Sequence, residues 1–265
     1  MKSFWTKESH VIETTNIPPG SPNDSPLTPM RFLQRSAEVF PHKDAIVYGA
    51  RCYTYREFAQ AAEELAHAIR SRITPGDRVI FLAPNIPEML IAHYAVPLAG
   101  GVLVALNSRM AGPEVHYVLE HSAATLLFID AELVSGVGDA FAASASLKGM
   151  IEIADGEFGI TESGLDVGQQ TLESFLAEAD NDSAEPLAWE VTDERAVISI
   201  NYTSGTTGKP KGVMYSHRGA YLNSFGEVFH NTFTSDSVYL WTLPMFHCNG
   251  WCTPWAVTAA GATHV

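Results

Sequence analysis

Basic residues are scarce in this sequence: 16 Lys and Arg stand against 30 Asp and Glu, a net charge of −14. That balance argues against nucleic acid as the main partner, because phosphate backbones are gripped by clustered Lys and Arg. A nucleotide, which needs only a few local donors, is not excluded. Cysteine is scarcer still. Cys52, Cys248 and Cys252 make no disulfide framework in 265 residues, and a reducing cytoplasm is the expected compartment. Met1–His10 carries charges and no apolar run, so no secretory signal is read there. Unbroken apolar runs are missing too. Met89–Leu106 has no Asp, Glu, Lys or Arg but is interrupted by Pro97 and Gly100–Gly101; Ser237–Val265 is interrupted by Pro244, His247, Asn249, Gly250 and Pro254. Neither supplies the roughly 20 continuous apolar residues of a membrane span. Both read as buried core.

What is present is an ordinary globular composition, 46% hydrophobic and 17% charged, in a chain long enough for one large or two modest domains. The first thirty residues are rich in Pro, Ser, Thr and Asn and read as an extended arm. Asp44–Tyr48 and Arg51–Thr54 read as a hairpin with Gly49–Ala50 at its tip. Thr54 with Glu57 three residues on predicts a capping box. Phe58, Ala62, Leu65 and Ile69 then mark one face of a helix. The pattern continues as strand Arg78–Ala83, helix Pro87–Leu98, strand Gly101–Leu106, helix Pro113–His121, strand Thr125–Asp130, helix Glu132–Ser146 and strand Met150–Ala154. Alternation with short, wholly apolar strands implies an α/β fold with a parallel sheet covered on both faces.

Gly149–Glu194 breaks the pattern, with thirteen Asp or Glu and no Lys or Arg. It reads as a solvated face plus a linker. A calcium loop is the alternative, but Asp180, Asp182 and Glu185 lack the required spacing. Asn181–Pro186 is the expected seam between subdomains. The organisation expected is an arm over 1–30, a first α/β subdomain over 31–185, and the start of a second over 186–265.

The most informative stretch follows the apolar strand Ala196–Tyr202: Thr203-Ser204-Gly205-Thr206-Thr207-Gly208-Lys209-Pro210-Lys211-Gly212. Three glycines let the backbone approach a polyanion, four hydroxyls add neutral donors, and Lys209 and Lys211 add charge. This is a phosphate cradle by composition. It is not the Walker type, because two residues separate Gly205 from Gly208 and Pro210 follows Lys209. Pro210 forbids direct entry into a helix, so the loop is expected to join two strands, the second at Gly212–Tyr215. The alternative is a plain Gly/Ser/Thr hairpin tip. Ser216 is the expected N-cap of a helix Arg218–His230, which makes His217 structural. Cys248 and Cys252 beside His247 and His264 match no structural zinc pattern, and no metal site is assigned.

This loop resembles the signature of the adenylate-forming (AMP-binding) superfamily, which includes acyl-CoA synthetases, luciferases and peptide-synthetase adenylation domains. Thr54-Tyr55-Arg56-Glu57-Phe58, Gly76-Asp77-Arg78-Val79, Pro84-Asn85, Leu106-Asn107-Ser108-Arg109 and Pro244-Met245-Phe246-His247 are similar to that family in order and spacing. The run from Phe246 to Trp251 looks most like acyl- and aryl-CoA ligases of the medium-chain or aromatic-acid type.

The resemblance implies ATP-dependent activation of a carboxylic acid to an acyl adenylate, then transfer to coenzyme A, with ATP, Mg²⁺ and CoA as cofactors or co-substrates. Thr203, Ser204, Gly205, Thr206, Thr207, Gly208, Lys209 and Lys211 would hold the β- and γ-phosphates. His247 would stand beside the reacting carboxylate, and Phe246, His247, Asn249 and Trp251 would shape the pocket for an apolar or aromatic acid. Trp241, Trp251 and Trp255 read equally as plain core. The family's Mg²⁺-binding Glu, its ribose-binding Asp and a small C-terminal domain with a catalytic Lys have no counterpart in these residues. A partial enzyme is therefore expected, with a second chain supplying the remainder or a homodimer among the possible partners. An amide-forming ligase that passes the acid to an amine, and a non-catalytic nucleotide-binding remnant, are the competing readings.

Overall fold

The computed structural model describes residues 24–137, 144–164, 170–179, 185–203 and 209–265. The first element among the described residues is α1 (Met30–Val39), which no signal in the Pro-rich sequence before it announces; most of the arm expected over 1–30 lies outside the described residues. The hairpin β1 (Asp44–Tyr48) and β2 (Arg51–Thr54) pairs antiparallel, with Gly49 left-handed at φ +58° at its tip. α2 (Tyr55–Arg70) starts at the expected capping box: the Thr54 hydroxyl accepts from the Glu57 N–H, and the Glu57 carboxylate accepts from the Thr54 N–H. Then come β3 (Arg78–Leu82), α3 (Pro87–Leu98), β4 (Val102–Ala105), α4 (Gly112–Ser122), β5 (Ala124–Asp130), α5 (Ala131–Val137) and β6 (Gly149–Ile153). Each falls where the periodicity places it, within a residue or two at the ends, except the helix expected over Glu132–Ser146: α5 is described to Val137, 138–143 lie outside the described residues, and 144–146 are not helical. Pro97, expected to break the run, is tolerated in the last turn of α3, and Gly100 at φ +83° makes the turn.

The acidic segment is more structured than its charge suggests. β7 (Gln170–Thr171) adds to β6, and α6 (Leu172–Ala177) drives Phe175 edge-on against Phe128 at 5.4 Å. Buried Phe175, with Leu172 and Leu176 packed beside it, anchors this short helix. β8 (Val197–Thr203) and β9 (Lys211–Ser216) follow as an antiparallel pair, as the loop between them requires. α7 (His217–His230) is capped by Ser216, whose hydroxyl accepts from the Gly219 N–H. The Thr28 hydroxyl and His217 Nδ1 lie 2.9 Å apart, so the end of the arm is pinned to α7. The chain finishes with β10 (Val238–Tyr239), a helical turn α8 (Cys248–Trp251), α9 (Thr253–Ala259) and β11 (Thr263–His264).

Two sheets result. The larger runs β7-β6-β5-β3-β4-β8-β9, parallel throughout except for the last pair, and the smaller runs β10-β11-β1-β2. Alternate residues of β3 feed opposite cores: Val79 and Phe81 pack with α2 and α3, Ile80 and Leu82 with α4 and α5. Phe81 stacks on its register partner Phe128 of β5 at 4.4 Å. This two-sided burial is why the strands are apolar without alternation. Both sheets cross the seam expected at 181–186: β8 joins β4 in the large sheet, and β11 joins β1 in the small one. Short parallel pairing rewards any strand of matching register, however far along the chain it lies, so the two expected subdomains share their sheets.

Candidate active site

Because β3, β4 and β8 run parallel, the segments that leave their C-terminal ends share one edge of the large sheet. Pro84-Asn85 follows β3, Asn107-Ser108-Arg109 follows β4, and the phosphate loop follows β8. This is the edge at which open α/β sheets bind ligands. Pro84, Asn85, Asn107, Ser108 and Arg109, together with Pro244 and Phe246, line a cavity of about 300 Å³. Three of the short motifs that are scattered in sequence thus meet in one place.

Asn85 explains how the 244–247 segment gets there. Its side-chain N–H groups donate to the carbonyls of Leu243 at 3.0 Å and Trp241 at 3.4 Å, and its Oδ1 accepts the Met245 N–H at 2.8 Å. These bonds draw the chain off the strand line, and that is why β10 ends at Tyr239. Trp241 is held from both sides. Its ring lies parallel to His264 at 5.9 Å, and its Nε1–H donates to His264 Nδ1 at 3.2 Å. With Nδ1 accepting, the neutral imidazole carries its proton on Nε2, which faces the Thr258 hydroxyl at 3.0 Å. Burial holds His264 down to about 3, so the ring stays uncharged.

The following turn has an unusual hand. Cys248, Asn249, Gly250, Trp251 and Cys252 all have positive φ, between 50° and 66°. A left-handed turn costs roughly 1–2 kcal/mol for each residue that carries a Cβ. Several bonds hold it. The Gly250 N–H donates to the His247 carbonyl and the Cys252 N–H to that of Asn249, both at 2.9 Å, while Asn223 donates to the Trp251 carbonyl at 3.0 Å. A Cβ on Gly250 would lie 2.8 Å from the Trp241 ring, so only glycine fits there.

Of the residues expected in the site, Phe246 lines the cavity and is half-buried, and His247 is exposed with its N–H given to the Pro244 carbonyl at 3.1 Å. His247 Nε2 lies 3.8 Å from the Cys248 thiol. Trp251 is 55% exposed, against the plain-core alternative, which holds for Trp255 at 0%. Asn249 is 1% exposed and turned inward onto β8. Thr203 ends β8 in register with Lys211 of β9, and Lys209 lies over the Tyr117 ring at 5.7 Å. The Tyr117 hydroxyl donates to the Pro210 carbonyl at 3.2 Å, so α4 backs this leg of the loop. Ser204, Gly205, Thr206, Thr207 and Gly208 lie outside the described residues. Among the described residues no group of three His, Cys, Asp or Glu is disposed to hold a metal ion. Sequence reading missed Ser199 and Asn201 and gave Asn85 and Arg109 no role in the site. The signal for the first two was available: two polar residues at alternate positions of an otherwise apolar strand.

The fold is that of an α/β protein with its cavity at the C-terminal edge of a mostly parallel sheet. The chain belongs to the family of AMP-binding enzymes, which it matches over residues 33–265. It is 38% identical to an acetate/butyrate–CoA ligase of Arabidopsis thaliana named as peroxisomal, over 98% of this chain and 46% of that protein. It is 38% identical to 4-hydroxybutyrate–CoA ligase 2 of Metallosphaera sedula, over 91% of this chain and 43% of that protein. A peroxisomal benzoate–CoA ligase of Arabidopsis thaliana is 35% identical over 92% and 43%. In fold it is similar to the anthranilate CoA ligase AuaEII, solved with anthranoyl-AMP, with a TM-score of 0.76 at 20% identity over 90% of this chain and 44% of that one. The N-terminal domain of FACL13 from Mycobacterium tuberculosis gives 0.71 at 27% identity, over 90% and 57%. The chain thus spans under half the length of the curated relatives it matches. No helix among the described residues is long and apolar enough to cross a membrane.

Proposed function

We propose that the whole protein of which these residues form a part is an acid–CoA ligase. It activates a carboxylic acid with ATP as an acyl adenylate and passes the acyl group to coenzyme A. The observation that carries this reading is convergence: Pro84-Asn85, Asn107–Arg109, Pro244 and Phe246 line one cavity at the sheet edge from which β8 leads toward the phosphate loop, in a chain of the AMP-binding family.

In the proposed reaction a carboxylate oxygen attacks the α-phosphorus of ATP. The bond from that phosphorus to its bridging oxygen breaks, and pyrophosphate leaves. The protein's share is to place and neutralise charge. Lys209, Lys211, the hydroxyls of Thr203, Ser204, Thr206 and Thr207, and the N–H groups at Gly205 and Gly208 hold the β- and γ-phosphates. His247, exposed at the end of the Pro244 turn, faces the reacting carboxylate. Mg²⁺ accompanies ATP as charge-neutralising counterion; the described residues offer it no carboxylate cluster, and no step is assigned to it. A cavity of about 300 Å³ is at the small end of ligand sites. With Phe246 in its wall it suits a short aliphatic or single-ring acid. The names of the relatives, from acetate and butyrate to benzoate, support that class. The remaining machinery comes from the rest of the same polypeptide or from a second one. Three unpaired cysteines support a reducing compartment, the cytoplasm in the first instance.

The test is pyrophosphate release from ATP by the full-length protein across short fatty and aryl acids, each with CoA, with an amine, or with neither. Acid-dependent release that CoA carries on to a thioester is expected. Turnover with the amine alone would move the protein to the amide-forming class, and nucleotide binding without release to the non-catalytic one. Replacing Lys209 and Thr206 with Ala should lower release at least roughly 100-fold, as loss of charge-stabilising donors does. Unchanged release would remove the loop from the site.

A further inference from the structure

Asn249 belongs to the sequence motif of the pocket, yet it is 1% exposed and reaches away from solvent. Its Nδ2 donates to the Ser199 hydroxyl at 2.7 Å, and its backbone N–H donates to Asn201 Oδ1 at 3.2 Å. Ser199 and Asn201 are themselves buried, at 0% and 4%. They sit two apart on β8, so with Thr203 they share one face of the strand that runs into the phosphate loop. The partner of this trio is the left-handed turn at 248–252. The second bond depends on that hand: with Asn249 at φ +50° its N–H faces β8, and a right-handed turn would aim it elsewhere.

An apolar contact would fill this space with less desolvation. Hydrogen bonds add direction, and a polar trio between a strand and a strained turn admits few relative placements. Asn201 Nδ2 and Asn249 Oδ1, one donor and one acceptor, have no partner among the described residues. The contact therefore costs more than stability alone explains.

We infer that Ser199, Asn201 and Asn249 are positioning residues: they tie the turn that presents His247 and Trp251 to the strand that presents the phosphate loop. Nucleotide bound at the loop is thereby felt at the acid pocket. The inference rests on the loop being a nucleotide site, as proposed above. Neither Ser199 nor Asn201 touches the cavity, and Asn249 acts through its neighbours.

The test is hydrogen exchange of the 247–252 amides in the full-length protein, with and without a non-hydrolysable ATP analogue whose binding is followed by calorimetry. Two variants are compared with the natural protein. Asn249→Gly keeps the left-handed conformation without steric cost and deletes the side-chain bond to Ser199, leaving the backbone N–H to Asn201; Ser199→Ala removes the same bond from the other side and guards against a variant that fails to fold. In the natural protein bound nucleotide should slow exchange in this segment at least roughly 5-fold, the low end of ordinary coupling between sites. In both variants the analogue should still bind and that slowing should vanish. A contact that only stabilises would lower the melting temperature and leave the nucleotide-dependent difference intact, which would overturn the inference. So would bound nucleotide with no response in the natural protein. Absence of any nucleotide binding would instead refute the proposed function, and the inference with it.

Discussion

Replacing Asn85 tests whether the pocket segment is held by the sheet or merely lies on it. Its carboxamide makes bonds of 2.8 and 3.0 Å to Met245 and Leu243 and a longer one of 3.4 Å to Trp241. Asn85→Ala leaves one N–H and two carbonyls to find water. The site is half-buried, so each stranded group costs nearer 1 than 3 kcal/mol, and the sum is about 2–3 kcal/mol. For a domain of this size that lowers the melting temperature by roughly 5–10 °C. The 241–245 segment should then relax toward the strand line, carrying Pro244 and Phe246 out of the cavity wall. The KM for the acid should rise while that for ATP changes little. Asn85→Asp sharpens the argument. Its carboxylate still accepts from Met245, but it turns negative charge toward two carbonyl oxygens and should cost more than Ala at neutral pH. Below the carboxyl's own titration the O–H donates to Leu243, so part of the loss should return on mild acidification. Calorimetric melting of both variants and the KM pair decide it. An Ala variant melting within about 2 °C of the natural protein, with an unchanged acid KM, would refute the clamp.

Gly250→Ala places a Cβ 2.8 Å from the Trp241 ring at φ +53°; overpacking and the left-handed cost together predict a loss of about 2–4 kcal/mol, checked by urea titration. Acid should destabilise the fold before most carboxylates titrate. Burial holds His93 and His217 down to about 4 and His264 to about 3, so each stays neutral when folded and takes a proton near its ordinary value when unfolded. The unfolded chain then binds more protons below pH 6.5, and each histidine removes roughly 1 kcal/mol per pH unit as pH falls. Asp130 opposes one of them: burial raises its carboxyl to about 6, which adds stability in the same window. Urea midpoints should therefore drop between pH 6.5 and 5, with a shallower slope in His217→Gln. A midpoint that is flat or rises on acidification would refute this.

Much of the larger sheet was legible because its signals are local. The capping box at Thr54, the apolar period through Ile69, the prolines that open α3 and α4, and Pro210 barring a helix each act within a few residues. The same locality explains the omissions. α1 follows a Pro-rich arm, and β7 and α6 sit in an acidic stretch ordered by distant partners, β6 for β7 and Phe128, 47 positions away in sequence, for Phe175.

By itself, then, the sequence determined the alternation of elements, the two strands that flank the phosphate loop and the chemical character of that loop. Periodicity, capping and turn residues carry those facts in short windows. Tertiary structure alone decided that β8 joins β4 and β11 joins β1, that β10 stops at Tyr239, and that Asn249 turns inward. It also decided the left hand of the 248–252 turn, which Asn and Gly tolerate but no propensity of Cys or Trp would select. Those outcomes depend on partners supplied from far along the chain: Asn85 for the carbonyls of Trp241 and Leu243, Ser199 and Asn201 for Asn249. A strained or displaced segment becomes the lowest-energy one only when such partners are in place, and a sequence window does not contain them.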